Sequence, residues 1–267
     1  MNDAARRVLG NVLIQRAPRA SSRYAPPIDV EPLLEGWESL AANTVLSMCT
    51  WPKRIHSAVD RLAEWLSGDV RPGVACLYLS HLEYPTMASI SLDIRERLEA
   101  LDVVVRFEDG DTRAYRRLRA SVDYPGRLVL TVDDDIVPPP RAFESFLSAR
   151  QHNPGCFVSW AGPFAIGNGT LFDPSVIDQR WLSDMEWAVD NAVDDLWTTM
   201  WLFYSGVHCV HWIAAKHDID SVQYTDRTVT FGNPTLVRMK IKAMCDKYPA
   251  IISKARLFAH EHRYSMV

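Results

Sequence analysis

The sequence predicts an α/β protein built on a parallel sheet. Three observations carry this. From Thr44 onward, strand-like and helix-like segments alternate. The best-defined strand segment, Leu128 to Val132, is a nearly continuous apolar run, the pattern of a strand covered on both faces. The segments between strands have the length of the helices that join parallel neighbours.

In order, "TVLSMCT" reads as a strand and "RIHSAVDRLAEWL" as a helix with apolar residues at helical spacing. "GVACLYLS" is a second strand, "SISLDIRERLEAL" a helix and "VVVRFE" a third strand. "TRAYRRLRASV" is helical and "RLVLTV" is the fourth strand. "RAFESFLSARQHN" forms a helix stopped at Asn153-Pro154-Gly155, followed by a strand at "CFVSWAG". Residues 161–193 read as irregular. "VDDLWTTMWLFYSG" is a helix that begins at paired aspartates and ends at Gly206, and "VHCVHWIA" is a strand. A C-terminal helix opens at Asn233-Pro234, an N-cap followed by proline in the first turn. The strand order is not legible at this level.

Residues 1–43 differ in character. "ARRVLGNVLIQR" predicts a short basic amphipathic helix and "APRASSRYAPP" a linker. The segment reads as an arm that packs on its own domain or on a second subunit, making a homo-oligomer. Its small apolar face without aromatics argues against membrane attachment.

Length and composition suit one large α/β domain or two small ones: 267 residues, 48% hydrophobic and 23% charged. A net charge of -4 carries no basic excess, so nucleic acid is not an expected partner. The five cysteines are widely spaced and form no CxxC pair, which reads as reduced thiols in a cytoplasmic protein. No apolar stretch approaches a membrane span, and the opening segment is too short in apolar residues for a signal peptide.

The most informative stretch is "RLVLTVDDDIVPPP". Asp133, Asp134 and Asp135 repel one another if all are ionised. Pro138, Pro139 and Pro140 cannot continue a ladder, so the strand must stop at the aspartates. The three carboxylates therefore stand at the carboxyl end of a buried strand, the edge where open α/β sheets bind ligands. Hard oxygen ligands suit Mg²⁺ or Mn²⁺. A solvated acidic turn is the plain alternative.

Other groups are weaker signals. Lys53 and Arg54 begin a helix, where cations oppose the dipole and a bound phosphate would remove the conflict. Arg113, Arg116 and Arg117 share a helix side by their spacing and face either a diphosphate or solvent. Gly167 and Gly169 permit close backbone approach to a ligand, or simply make a turn. Asp194 and Asp195 begin a helix, where one suffices as a cap and the other is placed to act as a general base. His208 and His211 alternate with apolar residues in a strand, a pattern of packing rather than ligation. Trp160, Trp181, Trp187, Trp197 and Trp201 cluster in the second half, mostly as core.

Taken together, "LSMCTWPKRI", "LYLSHLEYP", "YRRLRASVDYPGRLVLTVDDDIVPP", "GNGTLFDPSVI" and "VDDLWTTMWLFYSG" resemble, in order, the family 2-like glycosyltransferases of the GT-A fold. The resemblance covers roughly residues 44–213. It departs from the family pattern at Trp51, where a tyrosine is usual, and at Arg116 and Arg117, where lysines are usual; a planar fork replaces a point charge.

The resemblance implies a Rossmann-like, mixed but mostly parallel sheet with helices on both faces. It also implies a single domain over 44–267, with a nucleotide-binding half at 44–135 and an acceptor-binding half at 136–267. It implies a nucleotide-sugar donor, a UDP-sugar first among them, and Mn²⁺ or Mg²⁺. The acceptor would be a hydroxyl on a glycan, protein or small molecule, with transfer by inversion. Carried over, Asp135 with Asp133 would hold the metal, Asp133 would lie near the ribose, and Asp134 would assist one or the other. Thr50, Pro52 and Arg54 would line the nucleotide pocket, and Arg116 and Arg117 would stand at the family's lysine positions. Gly167, Gly169 and Thr170 would face the donor sugar or acceptor. Asp195, or else Asp194, would be the base.

Three other readings compete. "VDDDIV" also fits a haloacid-dehalogenase-like phosphatase with Asp133 as nucleophile and Asp135 as acid, although that nucleophile normally follows the first core strand. A metal-dependent nucleotidyltransferase shares the same ligands. A non-catalytic nucleotide- or carbohydrate-binding protein would keep the pocket without the chemistry.

Overall fold

The computed structural model describes residues 32–159, 169–211 and 234–262. Its elements, in order, are α1 (Trp37–Ala42), β1 (Thr44–Cys49), α2 (Ile55–Trp65), β2 (Val74–Ser80), α3 (Leu92–Ala100) and β3 (Val103–Glu108). A 3₁₀ segment, Arg113–Arg119, runs into α4 (Ala120–Asp123), then β4 (Leu128–Val132), α5 (Ala142–His152), β5 (Phe157–Ser159) and β6 (Thr170–Phe172). The chain continues with α6 (Arg180–Ser183), α7 (Met185–Asn191), α8 (Asp194–Tyr204), β7 (Cys209–His211), α9 (Pro234–Lys247) and α10 (Pro249–Glu261).

The strands form one seven-stranded sheet in the order β3-β2-β1-β4-β6-β5-β7. β1 is parallel to β2 and β4, β2 to β3, and β5 to β7. β6 alone runs against its neighbours β4 and β5. The predicted mixed, mostly parallel α/β fold is thus observed.

Alternate residues of the central strands feed two separate cores, as the period of two in a strand requires. Leu46 and Met48 of β1, Leu77 and Leu79 of β2, and Leu130 and Val132 of β4 point to one face, packed by Leu62 of α2, Ile94 of α3 and Phe146 of α5. Val45, Tyr78 and Val129 point to the other, packed by Trp181, Ala188, Trp197, Trp201 and Ala255 from α6, α7, α8 and α10. Helices therefore cover both faces, which is why the strands read as continuous apolar runs. On the second face, Trp197 and Trp201 lie edge-on to Tyr248 at 5.5 and 5.8 Å between ring centres. The Tyr248 hydroxyl donates to Asp184 Oδ2 at 2.5 Å.

The structure departs from the sequence reading in several places, and the segment read as the helix "TRAYRRLRASV" is a 3₁₀ run over Arg113–Arg119 before the short α4. Within the stretch read as irregular lie β6, α6 and α7. These elements are only 3, 4 and 7 residues long, too short for a periodicity to show. Residues 37–42, read as part of an N-terminal arm, form a helix whose Ala41 enters the first core, with Leu33, Trp37 and Leu40 packed against it. The C-terminal region holds two helices, broken at Tyr248-Pro249 because proline starts a helix well and continues one badly. The arm's expected helix and linker, Trp160 and Gly167 lie outside the described residues. Among the described residues, no helix is long and apolar enough to cross a membrane.

The reversed direction of β6 matters for the site. Thr131 pairs with Thr170, so β6 begins where β4 ends. The carboxyl ends of β1, β2 and β4 and the start of β6 thus share one edge.

The turn into β2 seals α1 to the sheet. Gly73 N–H donates to the Ala41 carbonyl at 2.8 Å, and a Cβ at Gly73 would lie 2.0 Å from the Ala42 carbonyl oxygen. Gly73→Ala is therefore expected to destabilise by about 3 kcal/mol, because backbone must shift to admit the methyl group. Urea unfolding of the two proteins measures this.

Candidate active site

β4 ends at Val132 because the next residues turn, with Asp134 and Asp135 in the turn itself. The three aspartates then diverge. Asp134 points back into the protein and is buried. Its Oδ2 accepts from the Thr50 hydroxyl at 2.6 Å, and its Oδ1 from Arg54 Nη1 at 3.0 Å. Its backbone carbonyl accepts from the Ser57 hydroxyl at 2.8 Å. Asp135 shares the same Arg54 nitrogen at 3.1 Å. Asp133 turns the other way and pairs with Arg117.

Arg117 is placed by β1. On the face of β1 that looks toward the second core, Ser47 Oγ donates to the Arg117 carbonyl at 2.6 Å, and the Cys49 thiol lies 3.7 Å from the Ala114 carbonyl oxygen. These contacts clamp the 3₁₀ segment to the sheet and bury Tyr115, Arg116, Arg117 and Leu118. The Arg117 side chain, 7% exposed, then reaches three carboxylates. Nη1 binds Asp133, while Nη2 binds Asp194 Oδ2 at 2.5 Å and Asp195 Oδ1 at 3.2 Å. One guanidinium thus joins the end of β4 to the first turn of α8.

The arginines that the sequence put on one side part company. Arg113 takes a left-handed backbone (φ 51°), which removes it from helical register, and it lies exposed between Asp111 and Asp190. Arg116 bonds Glu83 at 2.9 Å and the Thr50 carbonyl at 3.3 Å, so it braces the turns after β1 and β2. Of these three, Arg117 is the one that pairs with Asp133, Asp194 and Asp195. Arg54 is likewise no solvated cation, whereas Lys53 is exposed and lies over the Trp51 ring, 5.3 Å from its centre. Pro52 begins the 3₁₀ turn next to Thr50 and is exposed. Gly169 (φ 142°) and buried Thr170 open β6 beside the end of β4, where the Thr131 hydroxyl approaches the Thr170 carbonyl at 3.5 Å. His208 sits at the far edge, tilted against Phe258 and edge-on to His262.

The electrostatics are lopsided. Five aspartates and Glu83 face three arginines, so carboxylates outnumber guanidiniums two to one. Burial pushes Asp133 above the usual carboxylate range, although Arg117 opposes it. Burial also raises Asp134, against its bond from Thr50 and the charge of Arg54. Asp135 is raised by burial and by the charge of Asp134. Burial disfavours the charge on Arg117, but Asp133, Asp194 and Asp195 outweigh it and hold its pKa well above the usual value. Burial lifts the Cys49 thiol to about 11, so it is no nucleophile.

This balance bears on a cation. Among the described residues, no three His, Cys, Asp or Glu side chains group as a ready-made cage. The strand end does offer Asp133 and Asp135, each with 29% of its side chain exposed, within a cluster short of positive charge. Either carboxylate is a hard oxygen donor of the kind that suits a divalent ion, which would take its remaining ligands from phosphate and water.

Several members of the site were not singled out from sequence: Ser47, Ser57, Glu83, Tyr115 and Lys240. Ser47 carried a signal, as the one polar residue inside "VLSM". The Tyr115 hydroxyl is buried and makes no hydrogen bond among the described residues. Burial and then the charges of Asp194 and Asp195 push it upward, so it remains a neutral phenol beside those carboxylates.

No family model and no curated protein matches the chain. Among solved structures it is similar to a mannosyltransferase from Pyrobaculum calidifontis, described in complex with GDP-Man and Mn²⁺. The TM-score is 0.50 and the identity 13%, over 98% of this chain and 81% of that one. A cytidylyltransferase from Leptospira borgpetersenii serovar Hardjo-bovis shares 11% identity at a TM-score of 0.40, over 78% of this chain and 95% of that one. The first likeness establishes a shared α/β fold.

Removing the Arg117 charge strands three carboxylates. Arg117→Met is expected to cost about 3–5 kcal/mol, the usual penalty for breaking a buried ion pair from one side. Arg113→Met, at an exposed position, should change stability by less than about 0.5 kcal/mol. Denaturant melts of both variants give the comparison.

Proposed function

We propose that this protein is a glycosyltransferase that moves a sugar from a nucleotide-sugar donor to a hydroxyl acceptor with inversion. The observation that carries the reading is the pairing of two separate carboxylate groups at one sheet edge. Asp133 to Asp135 end β4, Asp194 and Asp195 begin α8, and both groups meet at Arg117. The fold shared with a mannosyltransferase supports it.

The two groups suit two jobs. Cleavage of the sugar–phosphate bond builds negative charge on the departing diphosphate. Asp135 and Asp133 would hold Mn²⁺ or Mg²⁺ there, and the ion would offset that charge. Arg54 and Arg117 border the same edge and add fixed positive charge. Thr50, with Pro52 and Arg54, would line the nucleotide pocket. The acceptor hydroxyl has a high pKa and needs a carboxylate to take its proton as the new bond forms. Asp194 makes the shorter contact with Arg117 and suits the anchor; Asp195 suits the base. The donor nucleotide is assigned first to UDP, with GDP as the second choice for test.

The phosphatase reading is less well served. Its nucleophile normally follows the first core strand, whereas Asp133 follows β4, after three strand–helix units.

Two variants test the scheme. Asp195→Asn is expected to reduce transfer at least about 100-fold while nucleotide still binds. Retained transfer would remove Asp195 as the base. A wild type that binds nucleotide but consumes no nucleotide sugar would favour the non-catalytic reading. Asp135→Ala is expected to abolish the Mn²⁺-dependent rise in melting temperature that UDP or GDP produces in the wild type. An unchanged rise would refute the metal assignment.

A further inference from the structure

We infer that Lys240 is a positioning residue that holds the acidic start of α8 in place from behind. The inference rests on the transferase reading only for its effect on turnover; the lock itself stands on geometry.

Lys240 belongs to α9, whose inward side carries Val237, Ile241, Met244 and Cys245, all buried. By its spacing it falls on that apolar stripe, and it is only 6% exposed. A lysine buried among apolar residues is costly unless its ammonium is fully used. Here Nζ donates to the Val189 carbonyl at 3.1 Å and to the Ala192 carbonyl at 2.8 Å.

Those two carbonyls define the turn between α7 and α8. Val189 is in the last turn of α7, where orphan carbonyls face outward and a cation is favoured. Ala192 has left the helix, with an extended backbone (φ -130°, ψ 168°), and lies two residues before Asp194. Val193 then caps α8, and its carbonyl accepts from Trp197 N–H at 2.8 Å. The ammonium thus ties the exit of one helix to the entry of the next. Arg117 holds the same first turn from the front through Asp194 and Asp195.

The charged groups that bear on Lys240 agree with this placement. Burial lowers its pKa and Arg113 adds to that, while Asp194 and Asp190 oppose both. The ammonium therefore lies within electrostatic reach of Asp194 as well as bonded to the turn before it. Without it, two carbonyls lose their donor and α8 loses the fixed point from which Asp194 and Asp195 project. A displacement of about 1 Å in a catalytic group can cost roughly 100-fold in rate.

The test uses the full chain as wild type, K240M and K240R. Hydrogen exchange is read at residues 193–198, along with turnover, donor affinity and melting temperature. In K240M, exchange at 193–198 is expected to accelerate at least tenfold relative to α5, with kcat down by about 100-fold and donor affinity within about twofold of wild type, since β1 and β4 carry the donor side. K240R, which keeps charge and donors, should recover most of both effects. Unchanged exchange at 193–198 in a folded K240M would overturn the inference, as would equal losses in kcat and donor affinity, the mark of a general structural defect. If K240M does not fold, K240Q is read by the same criteria. A wild type inactive with every nucleotide sugar would overturn the transferase reading alone, and the exchange comparison would still decide the role of Lys240.

Discussion

The Arg117 guanidinium organises this edge of the protein. It is buried, and a buried charge is tolerated only when matched and hydrogen-bonded. Its partners come from two elements some sixty residues apart in sequence: Asp133 at the end of β4, and Asp194 with Asp195 at the start of α8. Each carboxylate would repel the others without it. The guanidinium therefore ties the end of β4 to the start of α8. Its backbone is in turn pinned by Ser47 on the central strand, so the geometry is inherited from the buried middle of the sheet.

The sheet makes that arrangement possible. Parallel strands bring the carboxyl ends of β1, β2 and β4 to one side, and each end contributes: Thr50 after β1, Glu83 after β2, Asp133 to Asp135 after β4. The antiparallel β6 brings its own beginning to the same side. Two cores, one on each face, hold the strands flat against their helices. Arg54 and Arg116 then stitch neighbouring turns together. Three arginines face six acids, and burial raises Asp133, Asp134 and Asp135.

Much of the fold was legible because long periodic segments report their own environment. "LVLTV" had to be a strand buried on both faces, and "RIHSAVDRLAEW" had to be an amphipathic helix. Short elements were not legible. β6 has three residues and α6 four, and no period can be read over so few. For the site, Asp133 to Asp135 announced themselves by self-repulsion at a strand end, and Asp194 and Asp195 by their place before a helix. Arg113 and Arg117 looked equivalent in "TRAYRRLR" but are not, because a left-handed residue at Arg113 and the Ser47 bond decide which one enters the protein.

By itself, then, the sequence determined the α/β class, the positions of the main strands along the chain, and the two carboxylate groups at element ends. These follow from local rules: side-chain period, proline's missing donor and charge repulsion between neighbours. Only the tertiary structure decided the strand order, the reversal of β6, the meeting of both carboxylate groups at Arg117, and the burial of Lys240 behind α8. Those depend on which distant residues come within hydrogen-bond reach once two cores have formed, and no spacing along the chain encodes that distance.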